Sequence, residues 1–186
     1  PSHWTIDAVG EGFDTTCAEL FRDNPEVAEL AWLEWAMLDL ATAPDAAPIG
    51  AEDFSEATAP FGDEDWMALT VTMMPRAAAR IVEHDLDALW RSLSEEGTAA
   101  DLQPGQHGCI AWREGERPTF LMVEPDSARA FSAMQSGANY GEVIALLAGE
   151  EPDDEAIQDA AMRAGGFLGQ WLQQGMLAGL NERSGD

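Results

Sequence analysis

No lysine occurs anywhere in this sequence of 186 residues; its nine cations are all arginine, set against 35 Asp and Glu for a formal net charge of −26. Nucleic acid takes most of its affinity for proteins from Lys and Arg contacts to phosphate, so duplex binding by so acidic a chain is disfavoured. Self-repulsion at this charge opposes aggregation and costs some stability. Acids spread over solvated faces, through compositional bias or a salty cytoplasm, would give the same count. Cysteine is nearly missing too. Cys17 and Cys109 are the only two, which excludes a disulfide scaffold and a CxxC site; each reads as a small buried hydrophobe. Histidine occurs only as His3, His84 and His107, and neither HExxH nor a C2H2 spacing is present. His107 and Cys109 could share a strand face, but structural zinc normally takes four such ligands. GxSxG, P-loop and Cys/His nucleophile signatures are absent. There is no apolar run of about 18 residues and no basic region leading into an apolar one at the start. These absences predict a cytoplasmic, non-catalytic chain with no metal and no cofactor.

What is present is an ordinary hydrophobic fraction, 46%, arranged in two parts. Residues 1–62 read as a helical segment and 63–186 as an α/β unit. A short helix is expected over 15–22. Asn24-Pro25 then opens a stronger one running to Ala41, with Asn24 as N-cap and Pro25 at the first helical position. Its acids Glu26, Glu29, Glu34 and Asp39 point in different directions at 100° per residue, leaving no single wet face. Such a helix is buried, either in the chain's own core or against a partner, and its Trp32 and Trp35 are the candidate partner-binding residues. Residues 43–60 read as a surface connection with one short helix near 52–56.

In the second part Leu69, Val71 and Met73 alternate with Thr70 and Thr72, a half-buried strand pattern over 66–74. Residues 77–84 read as a second strand or an extended bend, and 85–95 as a helix. Segments 107–113 and 118–124 form a hairpin around Glu114-Gly115-Glu116. Both of its strands carry apolar residues on both faces, so the hairpin is sandwiched or lies beside something that it binds. Asp126 or Ser127 starts a helix to about Gln135, Asn139 caps another to Ala148, and the last helix is expected from Glu155 to about Leu180. The run from Gly165 to Gly169 lies inside this helical pattern and is no phosphate loop. The acidic clusters Asp63-Glu64-Asp65 and Asp153-Asp154-Glu155 fall at turns and helix starts, where the helix dipole favours them. The predicted class is α+β: a helical segment followed by a small winged-helix-like domain with an antiparallel sheet of three or four strands.

Four segments taken in order resemble the HvfC/BufC-type family. They are the LA-x-LEWA helix at 30–36, the hydrophobic-Pro step at Met74-Pro75, D-x-x-x-LW at 85–90 and W-L-x-x-G-x-L at 171–177. The resemblance runs over nearly the whole chain. It implies a longer product of which this chain is the C-terminal portion, with an N-terminal helical region labelled as a DNA-binding domain. It further implies a partner subunit of a multinuclear iron-dependent oxidase that modifies a small ribosomally made precursor peptide. The α/β part would then recognise the peptide's leader. An exposed edge at 118–124 offers main-chain groups for an added strand, with adjacent apolar side chains for specificity. The candidate peptide-binding residues are therefore Thr119, Phe120, Leu121, Met122, Val123 and, from the last helix, Trp171. The hairpin is expected to pair with 66–74, because two strands alone are only marginally stable. Two other readings stand beside the adaptor: a DNA-binding transcription regulator, and a structural domain without a specific partner.

Overall fold

The computed structural model describes residues 10, 12–96 and 104–181. Local chemistry sets most of the element starts. Helix α1 (Phe13–Leu20) packs on α2 (Glu26–Ala41). Asn24-Pro25 does open α2, but the Asn24 side chain donates to Glu26 Oε1 at 3.2 Å and caps no backbone N–H. Two short helices follow, α3 (Ala51–Thr58) and α4 (Asp63–Met67). The expected strand over 66–74 is cut down by α4, whose three acids suit a helix N-terminus and whose Asp65 accepts from Gly62 N–H at 3.0 Å. Only β1 (Val71–Met73) remains of it. Strand β2 (Ala78–Val82), helix α5 (Leu86–Glu96), and the strands β3 (His107–Glu114) and β4 (Arg117–Val123) come next. Asp85 caps α5 through N–H groups of Asp87 and Ala88, both at 3.1 Å. The β3–β4 hairpin closes through a two-residue loop whose Gly115 sits at φ 60°, a conformation that disfavours a Cβ.

Helices α6 (Pro125–Gln135), α7 (Tyr140–Ala148) and α8 (Asp154–Gln173) complete the helical set. Asn139 caps α7 as expected: its Oδ1 accepts from Glu142 N–H at 2.9 Å, and Glu142 Oε2 accepts from Asn139 N–H at 2.8 Å. Helix α8 starts on Asp153, which accepts from Ala156 N–H at 2.9 Å. It stops seven residues short of the expected end. Gly175 turns the chain at φ 66°, and β5 (Leu177–Leu180) pairs antiparallel with β1. That pairing meets main-chain groups that a longer helix would have met internally.

The hairpin's third strand is therefore not 66–74. The three-stranded sheet has the order β2-β3-β4, all antiparallel, while β1 and β5 form a separate pair. Register makes the three-stranded sheet two-sided. Ala79, Ile110 and Leu121 align across it, as do Ala78, Ala111 and Phe120 one step along. The Ile110 face joins the larger core with Trp112, Phe131, Met134, Val143, Leu168 and Trp171. The Ala111 face, with Cys109 and Val82, packs on Leu33, Ala36 and Leu40 of α2 and on Leu86 and Leu89 of α5. The sheet is sandwiched, which answers why its strands are apolar on both sides. Leu33 and Leu40 are fully buried, and each such burial contributes about 1.5–3 kcal/mol. Residues of α2 thus share a core with β2, β3 and α5.

Three polar contacts fasten the layers. Arg113, at the far end of β3, donates to the carbonyls of Ala43 and Pro44 at 2.7 and 3.3 Å and pairs with Asp45 at 2.5 Å. Arg76 reaches Asp39 and Thr42, both at 2.7 Å. Glu29, in the first turn of α2, receives the N–H groups of Glu83 and His84 at 2.6 and 3.2 Å.

Candidate functional site

Among the described residues, strand β4 pairs on one side only: its partner is β3, and the order β2-β3-β4 leaves it at the sheet edge. Residues 108–113 of β3 are buried, whereas each residue of 118–123 is half-buried. In an antiparallel strand, every second residue turns both main-chain groups to the same side. Alternate residues of β4 therefore turn N–H and C=O outward from the sheet. Pro118, lacking an N–H, falls at the strand's start, where an edge tolerates it.

The side chains along this edge divide by parity. Phe120 and Met122 lie on the α2/α5 face, where the Phe120 ring meets Trp90 at 6.3 Å and 60°. Leu121 and Val123 lie on the opposite face with the larger core, and Thr119 aligns with Trp112 on that side. The structure thus brings Thr119, Phe120, Leu121, Met122 and Val123 together along one edge but spreads them over two faces. A single pocket combining Phe120, Met122 and Trp171 does not form. Trp171 is 1% exposed; its ring meets Phe131 edge-on at 5.3 Å, and its Nε1–H donates to Ser127 Oγ at 3.3 Å. It is a core residue beneath the Leu121 face. An apolar α8 position at the right period looks the same in sequence whether it packs inward or lines a groove.

Trp90 is the residue beside this edge that the sequence pattern did not single out. The signal was its place one turn after Leu86 in the D-x-x-x-LW segment, but only the packing of α5 on β4 sets it beside Phe120. Trp32 and Trp35 are both half-buried and do not form an open anchor. The Arg80 guanidinium lies 5.7 Å from the Trp32 ring centre and pairs with Asp14 at 2.7 Å. Gly10 sits against Trp35 so closely that a Cβ there would overlap the ring. These contacts tie Gly10, Asp14, α2 and β2 together.

Behind Met122, Cys109 is fully buried. Burial, reinforced by the nearby Glu29 carboxylate, pushes its thiol up to about 12, so it is held protonated and unreactive. His107 stands two residues before it on the same strand, and among the described residues no group of three His, Cys, Asp or Glu is placed to hold a metal ion. None of the described helices is long and apolar enough to cross a membrane. The chemistry available at the β4 edge is main-chain hydrogen bonding flanked by apolar side chains. No family model matches the chain, and neither a curated protein nor a solved structure matches it.

Proposed function

We propose that this chain is a non-catalytic adaptor that binds an extended segment of a small precursor peptide along β4 and presents it to a partner iron-dependent oxidase. The observation that carries the reading is the one-sided pairing of β4 next to a row of half-buried apolar residues. An incoming strand would continue the sheet by main-chain hydrogen bonds. Its alternate side chains would lie beside Phe120, Met122 and Trp90 on one face and beside Leu121 and Val123 on the other. Strand addition needs little sequence information beyond those flanks, which suits a leader read for docking and not for chemistry. The oxidase and the precursor come from the family resemblance alone. The net charge of −26 weighs against the alternative, a DNA-binding regulator.

Co-purification with the products of neighbouring genes identifies the partners, and hydrogen exchange then locates the contact. Binding of the co-purified peptide should slow exchange of amides within 119–123. Met122→Asp places a charge on the α2/α5 flank while leaving the backbone of β4 able to pair. Affinity should fall at least about tenfold, equivalent to 1.4 kcal/mol, with the circular dichroism spectrum retained. Slowed exchange confined to other elements, together with unchanged affinity in a folded Met122→Asp chain, refutes docking at β4. Duplex DNA retained at physiological salt and released by added salt would favour the regulator.

A further inference from the structure

Away from the β4 edge, helices α3, α4, α7 and α8 line a half-open cavity of about 420 Å³. Phe54, Trp66 and Tyr140 supply aromatic wall, and Leu168 and Leu172 supply aliphatic wall. The remaining lining is Gly165 and Gly169, one turn apart on α8. The volume lies in the range of pockets that take drug-sized ligands, about 300–1,000 Å³.

Three features say what kind of molecule fits. The rings form a connected aromatic wall: Phe54 and Tyr140 each stand 6.4 Å from Trp66, and Phe61 meets Trp66 edge-on at 5.6 Å. Aromatic groups favour tilted and offset neighbours of this kind. The second feature is the α8 face. Glycine weakens a helix interior, yet a Cβ added at Gly169 would meet nothing within 4 Å, and one at Gly165 would come 3.3 Å from Tyr140 Oη. Backbone is thus exposed to the cavity where alanine would have narrowed it. The third is charge. No lining residue is ionic at neutral pH, in a chain of net charge −26, so an anion would be repelled without finding a partner inside. The one lining side chain with a polar group other than the indole is Tyr140, whose hydroxyl donates to the Ala161 carbonyl at 3.3 Å and has oxygen lone pairs free to accept.

From these observations we infer that the cavity is a binding site for a small, uncharged, flat aromatic molecule, stacked against Trp66 and seated on the glycine backbone of α8. A hydrogen-bond donor on the ligand would meet Tyr140 Oη. This site is separate from β4 and does not depend on the peptide-binding reading.

The probe is N-phenyl-1-naphthylamine, a neutral aromatic dye that brightens in apolar surroundings, titrated into the full chain. Saturable brightening is expected at one dye per chain, with energy transfer from tryptophan. Gly169→Leu puts a side chain into the cavity and should abolish the saturable signal, and Gly169→Ala should weaken it. Gly166→Leu, next to Gly165 but exposed and outside the lining, should leave it unchanged. The anionic dye 1-anilinonaphthalene-8-sulfonate should bind at least about tenfold more weakly. Circular dichroism checks that each variant is folded. Absence of saturable binding overturns the proposal. So does binding that survives in folded Gly169→Leu, or equal affinity for the anionic dye. Sedimentation equilibrium completes the test: a wild-type dimer that Gly169→Leu converts to monomer would mean that a second copy fills the cavity, and would also overturn it.

Discussion

Glu29 is the side chain on which the junction between the helical segment and the sheet can be tested most sharply. It projects from the first turn of α2 into the turn between β2 and α5. One carboxylate oxygen accepts from Glu83 N–H at 2.6 Å; the other accepts from His84 N–H at 3.2 Å and lies 3.0 Å from His84 Nδ1. The Glu29 and His84 side chains are only 12% and 8% exposed, so water does not readily replace these partners. Hydrogen bonds to a charged group each contribute about 1.5–3 kcal/mol net. Three that share one carboxylate are not additive, and Glu83 N–H is exposed, so Glu29→Ala should cost about 3 kcal/mol in total. At about 2–4 °C per kcal/mol for a chain of this size, the melting temperature should fall by about 6–12 °C. Glu29→Gln keeps one acceptor oxygen and should lose about 1–2 kcal/mol. Urea unfolding followed by tryptophan emission gives both values, and hydrogen exchange should show the Glu83 and His84 amides speeding up in the Ala variant. If Glu29→Ala stays within about 0.5 kcal/mol of the parent, or if Ala and Gln cost the same, the carboxylate does not fasten α2 to the sheet.

Two further outcomes follow from titrating groups. The hydrogen bond from Arg163, joined by one from Arg129, holds the Asp126 carboxyl below its ordinary value despite some opposing desolvation. A depressed pKa stabilises the fold fully above the unfolded value near 4 and loses that contribution as pH falls through the folded value. The acid limb of a stability-against-pH curve, measured from about pH 5 to 2, should therefore flatten in Asp126→Asn; an identical limb would show that the pair contributes nothing. Cys17 and Cys109 are 2% and 0% exposed, and Cys109 is held up to about 12. Iodoacetamide at about pH 8 should leave Cys109 unmodified in the native chain and label it promptly in urea; prompt labelling of the native chain would place it in an open environment.

Much of the local structure can be read directly from residues. The capping pair of Asn139 and Glu142 starts α7 through groups three positions apart, and Pro125 at the first position of α6 needs no distant partner. Gly115 between two apolar strands is enough for the hairpin, because a turn's backbone demands are local. Composition alone also sets the charge, and with it the handicap against nucleic acid. Strand partnership belongs to the tertiary structure. Leu69, Val71 and Met73 carry a strand pattern, but nothing in that pattern says that β1 joins β5 more than 100 residues away while β2 joins β3. The segment from Leu177 to Leu180 continues the apolar period of α8 and becomes a strand only because Gly175 breaks the helix and β1 offers main-chain groups. Parity along β4 could be counted from sequence, since neighbouring side chains alternate. Which face would meet α2 and which would meet Trp171 depended on how the helices closed over the sheet. A strand's side-chain period is local, whereas the identity of what covers each face is a property of the whole packed chain.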